Sequence, residues 1–387
     1  MSEGLLSKYF LRYNRFLWAR YQLEIICELG SESEIRTQLT QLPKGLETTY
    51  MRIWDKIRSF PKMKSSRAYR TIKWLLSATR PLKREEIIIA TAIKPLDTTF
   101  QVQEEVSLEY LISACGNLVY LDEQEDVLRL VHFSAQEFLV RQPELKDPEG
   151  FVAVVCFTAL GFSQRPAAIW DYAVDNWWRH ARCWREINSA RSTLIGRFLL
   201  VTPRLEEWLT DFGRLYRREK VLLPPSKYGA IGVCASFDLP IILSHLLQRG
   251  LKHFGGHFEG GFSKLISAAL LLAAAEGHLS IVELLIKAGA NTRWRMSGYV
   301  VTFQLSSQIG YRNGITARLS PSERGGSMTA LQAAAVVGHD KVLKLLLKAD
   351  AGVNDQGHFK LYCGPAVGTV RIDLGITVMG TILTLCR

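Results

Sequence analysis

The chain has 387 residues, 48% hydrophobic and 10% aromatic, with a formal net charge of +11. That length and apolar content provide for two or three packed domains and exclude a disordered chain. No stretch reaches transmembrane length, the seven cysteines form no C-x-x-C pair, and Lys8, Arg12, Arg15 and Arg20 interrupt the apolar N-terminus; membrane, zinc-ribbon and secretory-leader readings are set aside, and reduced thiols and a cytoplasmic location are expected.

In chain order, FLWARYQLEIICEL places Phe16, Ala19, Leu23, Ile26 and Cys27 along one helical face, and IRTQLTQLPKGLETTYMRIWDKI reads as two helices punctuated by Pro43 and Gly45. AYRTIKWLLSATRPLKREEIIIATAI predicts a helix through Leu76, a turn at Arg80-Pro81-Leu82 and a helix opening with Lys83, Arg84, Glu85 and Glu86. Glu85 and Glu86 are adjacent and splay around that helix, so they read as favourable first-turn charges and not as a catalytic pair. A third helix, SLEYLISACG, closes at Gly116; NLVYLD and VLRLVHF then alternate as strands joined by Glu123-Gln124-Glu125-Asp126. Three helices and a two-stranded wing predict a winged helix over 63–145. Its third helix offers Glu109 and no basic residue, and the acidic wing tip meets phosphate unfavourably, so a structural or regulatory winged helix is expected in place of a DNA reader.

The surplus charge lies beyond residue 150: residues 1–150 carry 21 basic and 21 acidic side chains, 151–227 carry 12 and 7, and the remainder 15 and 9. Residues 146–227 predict a helical linker, FVAVVCFTAL and AIWDYAVDNWWRHARCWREI, whose Trp170, Trp177, Trp178 and Trp184 are spaced 7, 1 and 6 apart. These spacings suit helix packing; a platform that stacks single-stranded nucleic acid beside the arginines of RHARCWR and RLYRREK is the alternative.

Two later segments repeat each other: AAAEGHLSIVELLIKAGAN (Ala273 to Asn291) and AAAVVGHDKVLKLLLKADAGVN (Ala333 to Asn354). Each predicts two short antiparallel helices, the first ended by Gly277 or Gly338 and the second anchored by Leu284-Leu285 or Leu345-Leu346, which is the ankyrin signature. His278 and His339 recur at one place and read as turn residues bonding the next loop; Thr329 is the candidate cap of the first helix in the later copy. Leu284 and Leu345 lie 61 residues apart, about 28 more than the ~33-residue period. Residues 292–327, rich in Gly, Ser and Arg without an apolar period, are expected to be a long surface loop. AIGVCASFDLPIILSHLLQRG adds a divergent copy with Leu246, Leu247 and Gly250 in register, giving about three repeats over 228–359. Residues 360–387 lack the pattern and are expected to be an unmatched, frame-altered or intron-derived tail.

LPKGLETTYMRIWDKI, RPLKREEIIIATAI and LRLVHFSAQEFL resemble the segment downstream of the nucleotide-binding core in fungal NACHT and ankyrin proteins, which are NLR-like signalling ATPases of the STAND type; the FLWARYQLE helix is similar to the end of that NACHT module. The winged helix resembles one catalogued as similar to a region of GPI inositol-deacylase, a name that carries no deacylase activity. The resemblance implies a mainly α chain: a helical NACHT remnant over 1–62, the winged helix, the linker and a short ankyrin solenoid. No G-x-x-x-x-G-K-[ST] occurs, so none of the family's nucleotide contacts transfers and no cofactor is expected. The chain reads as a piece that begins late in the module.

Enzyme signatures are equally missing. Gly161-Phe162-Ser163-Gln164-Arg165 ends in arginine where a nucleophile elbow needs glycine; His253 and His257 flank a Gly-Gly pair that breaks the helix a metal pair would need. The expected function is a non-catalytic protein-interaction and signalling scaffold that holds a protein partner on its ankyrin surface, with Arg293, Trp294 and Arg295 at the tip after the second repeat as candidate contacts. Neither a small-molecule substrate nor a membrane contact is expected. The alternatives are a nucleic-acid adaptor using 151–227 and a non-functional truncated product.

Overall fold

The computed structural model describes residues 31–40, 46–99, 106–215, 225–249, 261–297, 301–304, 316–321, 327–352, 357–363 and 370–376. The helix expected at 16–29, Gly250, His253 and His257 lie outside them. The fold is mainly helical, as expected, and divides into two compact units at Val152/Ala153, with the short segment Lys94–Phe100 belonging to the second.

The first unit contains α1 (Glu32–Thr40), α2 (Leu46–Ser59), α3 (Lys62–Ser77), α4 (Arg84–Ala92), α5 (Leu108–Ala114), the hairpin β1 (Val119–Asp122) and β2 (Val127–Leu130), and α6 (Phe133–Val140). The core forms because apolar positions on α2 and α3 recur at helical spacing: Tyr50, Ile53, Trp54 and Ile57 from one, Ala68, Ile72 and Trp74 from the other, all buried. The acidic turn is used locally. Arg84 Nε donates to Asp126 Oδ1 at 2.9 Å, Arg129 Nε donates to Asp122 Oδ2 at 3.0 Å, and Lys83 forms an isolated antiparallel bridge with Val127. Arg84–Asp126 and the Lys83–Val127 bridge tie the wing to α4, while Arg129–Asp122 links its two strands, even where exposure limits the energy of such pairs. Of the two first-turn glutamates, Glu86 is the structural one: its carboxylate accepts from the Lys83 amide at 2.8 Å and from both terminal nitrogens of Arg80 at 2.7 and 2.6 Å, closing the Arg80-Pro81-Leu82 turn. The third helix presents Glu109 and exposed Tyr110.

In the second unit, α7 (Pro148–Leu160, which carries the division), α8 (Ala167–Ala181), α9 (Ser189–Phe198) and α10 (Thr202–Leu215) enclose an aromatic core. The Trp177 ring lies 4.9 Å from Phe157, 5.4 Å from Phe198 and 5.4 Å from Trp208. Trp170, Trp177 and Trp184 are buried, so this set cannot serve as the exposed stacking platform of the nucleic-acid alternative. Trp178 is half-buried between the guanidinium groups of Arg179 and Arg182, at 4.4 and 4.8 Å from its ring centre. Its helix ends at Ala181, short of the expected stretch, because the chain turns there to bring Trp184 back against Phe157 at 5.2 Å.

The repeats follow as three helix pairs: α11 (Pro225–Phe237, broken at Gly229) with α12 (Pro240–Gln248), α13 (Gly261–Glu276) with α14 (Leu279–Lys287), and α15 (Ala330–Val337) with α16 (Asp340–Lys348). The first helices stack as one layer, α11 on α13 on α15, and the second helices as another. Each second helix buries the same i, i+1, i+4 triplet: Ile242, Leu243, Leu246; Ile281, Val282, Leu285; Val342, Leu343, Leu346. The identical spacing places the divergent copy in register with the other two.

One expectation needs correction. Residues 292–327 are not a bare surface loop: they contain β3 (Met296–Ser297), β4 (Val301–Gln304), β5 (Thr316–Pro321) and the start of β6 (Ser327–Met328). Within residues 360–387, expected as an unmatched tail, the chain continues β7 (Gly357–Cys363) and forms β8 (Val370–Ile376), which join the insertion in one antiparallel sheet of order β4-β5-β7-β8. The physical reason is alternation: β7 HFKLYC and β8 VRIDLGI alternate apolar with polar residues, and the register sets Phe359 opposite Leu374, Leu361 opposite Ile372 and Lys360 opposite Asp373. Each hairpin is an enlarged finger of its repeat, and the β5–β7 pairing joins the two fingers.

Candidate functional site

An ankyrin surface is only as defined as the stacking that holds neighbouring repeats together. Glycine supplies the left-handed turn after the first helix: Gly277 has φ 79° and Gly338 φ 83°. In the divergent copy Asp238 takes that place with φ 54°, which explains why no glycine marks it. The recurring histidines bond backward along the stack, not to the following loop as expected. His278 Nδ1–H donates to the Ala235 carbonyl at 2.8 Å, and His339 Nε2–H donates to the Ala275 carbonyl at 3.1 Å, each oxygen lying near the end of the preceding first helix. Burial lowers the pKa of both rings from the ordinary histidine value, partly offset by these carbonyl bonds. Thr329 caps α15 as expected: Gln332 N donates to Thr329 Oγ1 at 3.3 Å and Thr329 N to Gln332 Oε1 at 2.9 Å, a reciprocal capping box.

The end of the stack nearest the N-terminus is covered by the aromatic helices. Phe237, the last residue of α11, meets the Trp178, Trp208 and Phe212 rings at 4.9, 5.6 and 5.5 Å, and Arg182 Nε donates to the Phe237 carbonyl at 2.8 Å. Terminal repeats need such a cap because a repeat buries its apolar face only against a neighbour.

The three candidate contacts sit in a built turn. Asn291 N donates to Ser267 Oγ at 2.8 Å, Arg293 N to Asn291 Oδ1 at 2.9 Å and Trp294 N to the Asn291 carbonyl at 3.1 Å. Arg293 reaches the next repeat, where Nε donates to the Asp350 carbonyl at 3.0 Å and Nη2 to its carboxylate at 2.9 Å. Trp294 is half-buried and Arg295 exposed. The Arg293–Asp350 link escaped the sequence reading because it joins residues 57 positions apart across the inserted finger.

The first unit has a separate concavity, a cleft of about 360 Å³ whose walls include Trp74, Pro81, Leu128, Arg129, His132 and Phe133. His132 is the N-cap of α6: its Nδ1 accepts from the Ser134 amide at 3.2 Å, and burial lowers its pKa. Among the described residues no His, Cys, Asp or Glu cluster could hold a metal, and no helix is long and apolar enough to cross a membrane. Burial pushes the Cys115 thiol up to about 12 and the buried Cys156 and Cys234 thiols up as well.

Comparison with known proteins agrees with these elements. Residues 58–149 match the family model described as GPI inositol-deacylase, winged helix domain, and residues 267–295 and 327–358 match the ankyrin repeat. Azaphilone pigments biosynthesis cluster protein L of Monascus ruber is 24% identical over 307 residues, which is 67% of this chain and 63% of that protein. The chain thus spans less than two thirds of this relative's length. α3 to α6 form a winged-helix domain of the GPI inositol-deacylase type, and the two later helix pairs are ankyrin repeats.

Proposed function

We propose that this protein is a non-catalytic interaction scaffold: the ankyrin stack holds a protein partner, and the winged-helix unit acts as the regulatory arm of an NLR-like NACHT protein, in the cytoplasm. One observation carries the reading. Three helix pairs stack in common register, with their inter-repeat loops tied by Arg293–Asp350 and their free end capped through Phe237. Such a stack presents a rigid surface, and ankyrin repeats commonly bind proteins. Arg293, Trp294 and Arg295 combine cationic groups with an indole, the side-chain types that dominate binding energy in interfaces, where one anchor contributes ~2 kcal/mol or more.

The test is quantitative capture of partner by the full chain and by the Arg293→Ala/Trp294→Ala/Arg295→Ala variant. Recovery should fall by about tenfold or more. The melting temperature should shift by only a few degrees, because the Arg293–Asp350 pair is 57% and 92% exposed and such pairs contribute ~0–1 kcal/mol. Equal recovery by the two chains removes these residues from the site.

A further inference from the structure

In a two-layer repeat stack, an inner helix has neighbours on three sides: the inner helices before and after it, and its own outer partner. The fourth side faces the groove that a partner would enter. α13 departs furthest from this arrangement: α11 and α15 each bury six residues in a row, Ala230–Ala235 and Ala330–Ala335. All eleven residues from Leu265 to Ala275 are buried, with no gap at helical spacing. A helix open on one side shows an exposed residue every third or fourth position; one buried all round is covered on every side. α11, α15 and α14 account for three of them, and β4 lies against α13 as well.

We propose that the enlarged fingers form an intramolecular cover over the ankyrin groove, with strand β4 lying where a partner would contact α13. The inference rests on the reading of the stack as a partner-binding surface. The cover is anchored twice: β5 pairs with β7, the finger of the following repeat, and β3 pairs with β6 at the base, Ser297 opposite Ser327. A partner reaching the groove side of α13 therefore displaces β4.

The base ladder supplies the test. Replacing residues 298–326 by Asn-Gly joins the paired Ser297 and Ser327 through a two-residue turn and removes β4 while leaving every helix of the stack. The probes are 1-anilinonaphthalene-8-sulfonate fluorescence and amide exchange at 265–275, neither of which needs a partner, so this test and the partner-capture test fail independently. With helical circular dichroism retained, dye fluorescence should rise and exchange at 265–275 should quicken by roughly tenfold. Thr302→Pro in the uncut chain, which disrupts β4 alone, should move both readouts the same way. A folded variant of either kind with dye binding and exchange unchanged overturns the cover. Loss of helical signal in both also overturns it, since a removable cover leaves the stack beneath it intact.

Discussion

Gly277 and Gly338 occupy equivalent positions with nearly equal left-handed φ angles, 79° and 83°, yet they do different work. A Cβ on Gly338 meets nothing within 4 Å, whereas one on Gly277 would sit 2.6 Å from the His339 ring of the next repeat. Gly338→Ala should cost only the left-handed strain, about 1–2 kcal/mol. Gly277→Ala should cost about 1–3 kcal/mol more, because the histidine must also move. Urea denaturation of the two variants checks the order, and equal costs would show that His339 yields freely. The histidines make a second prediction. Burial depresses both pKa values in the folded chain, so the unfolded chain takes up protons first as pH falls. The neutral rings contribute stability that is fully present above the ordinary histidine value of ~6.5 and is lost as pH drops through the depressed folded values. Melting temperature should fall between pH 7.5 and 5.5, and the His278→Gln/His339→Gln chain should show a shallower fall.

At the scale of the element, local signals and packing signals differ in how plainly they are written. The capping box at Thr329, the Arg80-Pro81-Leu82 turn and the wing hairpin depend on residues a few positions apart, so their types and spacing predict them directly. The aromatic helices were legible as packing from the tryptophan spacings, but not in their partners. Trp177, fully buried among Phe157, Phe198 and Trp208, is the centre of that core. Trp177→Ala should destabilise the second unit by about 3–5 kcal/mol, the cost of a large cavity. Thermal unfolding checks this; a loss under ~1 kcal/mol would indicate a core able to collapse around the gap.

For the whole molecule, the pairing of the insertion with the segment after the last repeat changes the organisation most. β5 and β7 belong to different repeats, and their ladder runs from Ala317–Cys363 to Pro321–Phe359. Ending the chain after Gly352 should strip β5 of that neighbour. Amide protection at 316–321 should then fall, while the α15 and α16 amides keep theirs; unchanged protection would show that β4 alone orders the strand. The partner-capture and cover experiments belong to this scale too, since each asks what the assembled stack presents.

The sequence by itself determined the repeat identity, the winged helix and their order, because these follow from periodicity, glycine placement and capping between near neighbours. It did not reveal that Asp238 stands in for a turn glycine, that His278 and His339 reach backward, that Arg293 meets Asp350, or that two segments without ankyrin pattern make one sheet. Those outcomes depend on which surfaces meet when distant parts of the chain pack. A β ladder or an ion pair across tens of residues leaves its two halves apart in the sequence, each satisfiable by many partners, and only the closed tertiary structure selects one.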